Sequence, residues 1–234
     1  MNKVVTASFD YGDSNKFKTL SEVFISSINK NVSGAEIISY LLPEPEIRFN
    51  RTRSFISNSV KLKMWVDSVR NCNDGDCVAL MDSDMLVLND FFDVFDNDFD
   101  IGYTVRTRSK WPINGGVIFV KVNDKSREFM NLFLSVNNRM LQDTEFHKIW
   151  QSRYAGINQA AFGYMLEYPI PINVKIKPFP CRIYNACGED LPIDEDITKI
   201  IHIKGKLRQA IFGEIKTEPE LEGSVLSWNK YKEI

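Results

Sequence analysis

At 234 residues the chain is long enough to bury a full core in one domain, so no disulfide or structural metal is needed to staple it. Its formal charge is only −2 and the charges are spread along the sequence, which leaves no basic footprint for nucleic acid or anionic lipid as the main partner. The four cysteines, Cys72, Cys77, Cys181 and Cys187, lack the C-x₂-C spacing of a zinc ribbon and are expected to be free, reduced thiols. The stretch from Met1 to Ala7 is too short an apolar run for a signal peptide, and nothing later approaches a membrane span, so a cytoplasmic protein is expected.

In chain order, Val4 to Phe9 reads as a first strand. Phe17, Leu20, Val23, Phe24 and Ile28 then recur at helical spacing after an Asp13-Ser14 capping signal. Glu36 to Leu42, closed by Pro43, is a second strand, and Ile56, Val60, Trp65 and Val69 mark a helix leading into a third, Cys77 to Met81. This alternation predicts an α/β fold whose central sheet is mostly parallel and flanked by helices. Further strands are predicted at 101–105 and 116–120, the second entered through Trp111 to Gly115, and a helix follows with Phe129, Leu132, Phe133 and Val136. Residues 139 to 157 lack clear periodicity and read as a substrate-side excursion. Ala160, Ala161, Tyr164 and Met165 suit a short helix, and Lys199 to Ile203 is the last clear strand. From about 205 to 234 the chain reads as a closing loop with a helix or tail. No repeat, low-complexity tract or linker interrupts it, so a single domain over 1–234 is expected.

The most informative segment is Asp82-Ser83-Asp84, which ends the apolar run Val78 to Met81 and precedes Met85 to Leu88. Open α/β sheets bind ligands at the carboxyl ends of their strands, and hard carboxylate oxygens there suit Mg²⁺ or Mn²⁺ bridging a diphosphate. If the strand continues through Ser83, both acids project to one side. The competing reading is a solvated turn, for which Asp and Ser are ordinary residues.

Together with four other segments this motif resembles the family 8 glycosyltransferases, the family of glycogenin and of bacterial galactosyltransferases. Lys61-Leu62-Lys63-Met64-Trp65 is similar to the family's Lys-Leu-x-x-Trp helix, and Leu80 to Leu88 to its D-x-D strand. Trp111 to Val117 resembles its Asn-Ser-Gly-Val segment. Gly156-Ile157-Asn158-Gln159 falls where an Asp-Gln pair is usual, and Ile201 to Arg208 is similar to His-x-x-Gly-x-x-Lys. The five occur in the family's order. The resemblance implies a GT-A fold and a metal-dependent transfer of sugar from a UDP-sugar to a glycan, protein or small-molecule acceptor, with retention of anomeric configuration.

It further implies Mn²⁺ or Mg²⁺ on Asp82, Asp84 and His202, with Ser83 beside the donor, and Gln159, Asn158 and Lys61 at the reacting sugar and diphosphate. Gly205 would let the backbone approach the diphosphate, and Lys206 or Arg208 would neutralise it. Thr6, Phe9, Asp10 and Tyr11 would receive the base, with Tyr11 stacking on it, and Asn114 and Gly115 would meet the sugar. Each has an ordinary alternative: a structural histidine, a surface lysine or basic face, a core aromatic, a glycine bulge. His147 is expected to be structural, and the acids at 90, 93, 96, 98 and 100 to lie on a solvated surface; the arginines at 51, 53, 106 and 108 could contact phosphate or acceptor, with a surface role as the default.

Two departures from the family pattern stand out, Asn158 for Asp and Arg208 for Lys. The first keeps open a catalytically degenerate sugar-nucleotide or glycan-binding module, and the second keeps the phosphate role with a different geometry. A strand followed by Asp-x-Asp also opens haloacid-dehalogenase phosphatases, where the first Asp is the nucleophile. In those enzymes the motif lies near the start of the core and a late strand bears acids, whereas here a βαβα unit precedes it and the late strand bears His202.

Overall fold

The computed structural model describes residues 1–11, 15–107 and 109–232. The predicted Asp13-Ser14 cap and Arg108 lie outside the described residues. The strands are β1 (Asn2–Asp10), β2 (Glu36–Pro43), β3 (Cys77–Asp82), β4 (Met85–Val87), β5 (Ile101–Val105), β6 (Ile113–Lys121), β7 (Ile176–Pro180) and β8 (Ile200–His202). The α-helices are α1 (Asn15–Asn31), α2 (Arg53–Asn71), α3 (Asp124–Gln142), α4 (Thr144–Tyr154), α5 (Ile157–Glu167), α6 (Cys181–Tyr184), α7 (Gly205–Ile211) and α8 (Pro219–Lys232).

Six strands form one sheet in the order β2-β1-β3-β6-β5-β7, and β4 pairs with β8 in a second, two-stranded sheet. β2, β1 and β3 are mutually parallel, β6 runs antiparallel to both β3 and β5, and β7 lies parallel to β5. After β1 the chain crosses to β2 on one side and returns to β3 on the other. The strand order therefore reverses between β1 and β3, and the crevice at their carboxyl ends is where such sheets take ligands. Ala7 of β1 is the register partner of Asp82 of β3 at that end.

β3 is buried on both faces, as its unbroken apolar run requires. Val78 and Leu80 pack with α2, α3 and α5 around Trp65, Phe129, Phe133 and Phe162. Ala79 and Met81 face the other way, toward Phe24 and Ile28 of α1 and the phenylalanines at 91, 92, 95 and 99. The four cysteines are free thiols. Among the described residues no helix is long and apolar enough to cross a membrane.

Four local expectations are corrected. Residues 139–157 hold the end of α3 and all of α4, which is capped by Asp143 through Phe146 N and buries His147, Trp150 and Tyr154. β7 was not anticipated, because Pro178 and Pro180 argue against a strand; at the sheet edge their missing donors cost nothing. β6 starts at Ile113, so Asn114 and Gly115 belong to the strand. The segment after 204 is two helices whose Leu207, Leu221, Trp228 and Tyr231 pack on Leu20 and Val23 of α1 and on Leu86 and Ile201. Trp228 is almost fully buried in that cluster. Trp228→Ala is expected to cost about 3–5 kcal/mol in a urea unfolding titration, whereas an ordinary loose tail would leave the midpoint unmoved.

Candidate functional site

A cavity of about 860 Å³ opens at the carboxyl ends of β1 and β3. Asp82 is the last residue of β3, but the strand stops there: Ser83 and Asp84 form a bend before β4. The bend, not strand alternation, brings the two carboxylates to one place, which corrects the expected cause. β8 runs antiparallel to β4 with His202 opposite Met85, and Ile203 N donates to the Asp84 carbonyl at 2.8 Å. One ligand atom from each of Asp82, Asp84 and His202 lies within 4.8 Å of the others.

His202 Nδ1 lies 3.0 Å from Asn185 Oδ1, while Asn185 Nδ2 donates to Thr104 Oγ1 at 2.8 Å and to the Asn114 carbonyl at 3.3 Å. Those two acceptors orient the Asn185 amide, so its oxygen takes the Nδ1 proton and Nε2 is turned to the carboxylates, 3.3 Å from Asp84 and 3.7 Å from Asp82. Burial, followed by the charge of Lys204, lowers the His202 pKa, although Asp84 and Asp82 pull it upward. At neutral pH an Nε2 lone pair thus faces two carboxylates, a donor set that suits a divalent cation.

Burial pushes the Asp84 carboxyl up, but the charge of His202 in the acid range where its ring is protonated, together with the cations Arg208 and Lys61, outweighs it and holds the carboxyl well below the usual carboxylate range. Arg208 pairs directly with Asp84, and Lys61 with Asp82. Lys61 is nearly buried with its ammonium 4.6 Å from the Trp65 ring centroid, so it is a wall of the cavity and no surface lysine.

Gly115 and Gly116 make room on opposite faces of β6. A Cβ on Gly116 would lie 2.6 Å from Met85 Cε and 2.7 Å from the His202 ring, and one on Gly115 would lie 3.0 Å from Gln159 Cγ. The pair therefore admits two side chains to the site, which is a sharper reason for glycine than passage beside a sugar. Asn114 lines the cavity but is nearly buried. Its Oδ1 accepts from Lys204 Nζ at 3.1 Å, and its amide nitrogen points to the Asn185 carbonyl and Cys187 Sγ.

Gln159 donates both amide hydrogens to backbone, to Ile113 O and Tyr154 O, which leaves Oε1 as the atom it can offer to the cavity. Asn158 donates to Asn58 O at 3.0 Å, and its buried Oδ1 has no partner among the described residues. At the other end Phe9, Tyr11 and Phe17 form an aromatic wall. Tyr11 is hydrogen-bonded to Ser57 at 2.8 Å, with the Arg53 guanidinium 5.7 Å from its ring centroid.

Of the residues expected at the site, Phe9, Tyr11, Lys61, Asp82, Ser83, Asp84, Asn114, Gly115, Asn158, Gln159, His202 and Arg208 all line this cavity. Four do not. Thr6 is fully buried, Asp10 is exposed beyond the wall, and Lys206 is turned out to Glu218 at 2.8 Å. Gly205 takes a left-handed φ of +55° as the first residue of α7, and a Cβ there would meet nothing within 4 Å, so its glycine serves the turn. His147 is structural as expected: fully buried, it takes a hydrogen bond from Arg51 at Nδ1 and approaches the Gly156 carbonyl at 3.3 Å with Nε2. Arg51 is accordingly buried, not on the surface, and Arg53 lines the cavity. Sequence reasoning missed Asn185, Thr104 and Lys204. Asn185 stands in no motif, and its only signal is a lone amide between Tyr184 and Ala186.

No protein-family model matches the chain, and no curated protein sequence matches it. Solved structures do resemble it. One is a glycosyltransferase involved in the glycosylation of the major capsid of PBCV-1, 14% identical with a TM-score of 0.59 over 92% of this chain and 99% of that one. Another is the glycosyltransferase GlyE of Streptococcus pneumoniae TIGR4, 14% identical with a TM-score of 0.63, of which this chain covers 61%. A third is the galactosyltransferase LgtC in complex with donor and acceptor sugar analogs, 11% identical with a TM-score of 0.55 over 99% and 95% of the two chains. At such identities the likeness establishes the fold, which is of the GT-A type.

The dependence of the site on Gly116 is directly testable. Gly116→Ala is expected to cost about 1–3 kcal/mol in a denaturant titration and to displace the His202 ring resonances in an NMR spectrum. Gly115→Ala should leave those resonances in place.

Proposed function

We propose that this chain is a glycosyltransferase that moves a sugar from a UDP-sugar to an acceptor hydroxyl with the help of Mn²⁺ or Mg²⁺. The observation that carries the reading is the convergence of Asp82, Asp84 and His202 at the β1/β3 crevice of a GT-A fold. UDP as the nucleotide, family 8 membership and retention rest on the five-motif resemblance.

In the reaction the bond between the anomeric carbon and the diphosphate oxygen breaks, a bond to the acceptor oxygen forms, and the acceptor's proton is released. A divalent cation on the three ligands would neutralise charge gathering on the departing diphosphate. Lys61 and Arg208, already held against the carboxylates, add fixed positive charge at the same place, and such preorganised electrostatics are commonly the largest catalytic contribution. Asn185 keeps His202 Nε2 turned to Asp82 and Asp84, where a divalent cation would be held. Tyr11, braced by Ser57 and Phe17, offers a flat face to the base, and Gln159 Oε1 offers an acceptor to sugar hydroxyls beside Asn158.

Calorimetry of UDP with Mn²⁺ and with EDTA tests the reading. Binding is expected only with the metal, and equal affinity in both solutions would sink it. Asp84→Asn should abolish transfer while the chain stays folded, because a ligand charge is lost at constant shape.

The replacement of Asp by Asn158 supports a second reading, a binding module without turnover, whose mark would be metal-dependent UDP binding with no transfer across a broad donor panel. Under the enzymatic reading, Asn158→Asp keeps UDP affinity within a few-fold but changes the ratio of kcat/KM between donor sugars. Hydrogen bonds to a charged group are worth about 1.5–3 kcal/mol against about 1 for a neutral one. Gln159→Ala should lose turnover and keep UDP. A phosphatase is disfavoured by the GT-A fold.

A further inference from the structure

We infer that Arg51 and His147 form a buried latch that positions Gln159, by holding the turn between α4 and α5 against the entry to α2. For its effect on turnover the inference rests on the transferase reading above, while the latch itself can be read without it.

Gln159 is aimed by a turn that one of its own residues disfavours. α4 ends at Tyr154 and α5 begins at Ile157; between them Ala155 has φ +60° with ψ −165°, and Gly156 has φ +24° with ψ 175°. Glycine adopts such angles freely. A Cβ closes that region to almost every other residue, so Ala155 must be held there by its surroundings. The Tyr154 carbonyl takes one Gln159 amide hydrogen at 3.0 Å, and a Cβ built on Gly156 would lie 3.6 Å from Gln159 Oε1. A shift at 155 or 156 would therefore turn the oxygen that Gln159 offers to the cavity.

His147, two turns before the end of α4, reaches this turn with Nε2, which lies 3.3 Å from the Gly156 carbonyl. A guanidinium can only donate, so the bond from Arg51 Nη2 occupies the Nδ1 lone pair and leaves the imidazole proton on Nε2, directed at Gly156. Arg51 also donates from Nη1 to Thr144 Oγ1 at 3.2 Å. The Phe55 ring of α2 packs on both partners, its centroid 5.1 Å from the guanidinium carbon and 4.9 Å from the imidazole centroid.

Arg51 follows Phe49 and Asn50, whose φ values of +56° and +51° are again left-handed, and stands two residues before α2. Two unfavourable turns, one leading into each wall of the cavity, thus meet at one Arg–His contact. α2 gives the cavity Ser57, Asn58 and Lys61, and α5 gives it Gln159. Filling space does not account for the pair, since His147 is fully buried, Arg51 is nearly so, and Arg51 Nε has no partner among the described residues. Apolar side chains of that volume would avoid the desolvation, but they could not bond the Gly156 carbonyl. The bond from Asn158 to the Asn58 carbonyl joins the same two helices beyond the turn and leaves Gly156 unfixed.

The Gln159 side-chain amide reports on the latch in an NMR spectrum of the nitrogen-labelled full chain in Mg²⁺, its resonances identified by their loss in Gln159→Ala. Arg51→Met combined with His147→Phe approximately keeps both volumes and strands no charge. That double variant should displace the Gln159 resonances. His147→Gln, whose amide can accept from Arg51 and donate to Gly156, should leave them near the parent positions. UDP should bind the double variant in Mn²⁺ within about twofold of the parent, because Asp82, Asp84, His202 and Tyr11 are untouched. On the best parent donor among UDP-glucose, UDP-galactose and UDP-N-acetylglucosamine, kcat should fall about tenfold or more with KM within about threefold. If the double variant does not fold, His147→Met read against His147→Gln takes its place. Unmoved resonances overturn the inference, as does a displacement that His147→Gln shares in full, which would make ring shape and not hydrogen bonding the cause. Displaced resonances with an unchanged kcat overturn it too, and so does a loss of UDP, which would assign the pair to the α2 wall. If UDP fails to bind the parent chain in Mn²⁺, the transferase reading falls first, and the resonances still decide the latch.

Discussion

The pairing of β4 with β8 is the constraint on which the rest of the site depends. β3 ends at Asp82 in the main sheet, and without a partner the short strand after the bend would have no reason to hold Asp84 in place. Three residues of β8 supply that partner, and the same three set His202 opposite Met85, with Ile203 N tied to the Asp84 carbonyl. A ladder of this length is weak alone. It is held because Leu86 and Ile201 are buried in the cluster formed by α1, α7 and α8, and because Val87 N is bonded to Ser27 of α1 at 3.0 Å. Stability remote from the cavity is thereby converted into ligand geometry.

The charges around this pairing form a connected system. Two carboxylates and an imidazole lone pair would repel one another in a buried corner, and Lys61 and Arg208 relieve that repulsion by reaching in from α2 and α7. Each cation is fixed by something else: Lys61 by the face of Trp65, Arg208 by the Ile203 carbonyl at 3.0 Å and the nearby ring of Phe17. The site is thus preorganised, with charge already arranged before any ligand enters.

Much of this was legible in the sequence because apolar runs and turn residues report on the parts of a fold that must be buried. β1, β3, α1 and α2 follow from such runs, and the acids and His202 stand at their ends. Parity along β1 would have refined the site list, since Ala7, Phe9 and Tyr11 line the cavity while Thr6 and Asp10 do not. What was not legible depended on tertiary context. β7 survives its prolines only because it is an edge, and α4 hides because its buried face is built from His147, Trp150 and Tyr154 in place of aliphatics. α7 and α8 look like a tail because their charged faces outnumber the few large residues that pack. Asn185 and Lys204 acquire meaning only from what lies across from them.

Asn31 of α1 bonds both the Val87 carbonyl at 2.9 Å and the Tyr231 hydroxyl on α8, joining residues 200 positions apart. A ribosome that has released the chain through Pro180 has delivered all six strands of the main sheet and both acids, yet neither His202 nor the helices that brace it. At that stage Asp82 and Asp84 have lost no partner, because Arg208 has not yet been made, and Lys61 alone offsets them. The three side chains therefore come together only where β8 lies beside β4. A chain that stops at Pro180 thus holds the strands of the main sheet and both carboxylates while lacking the imidazole that lies against them.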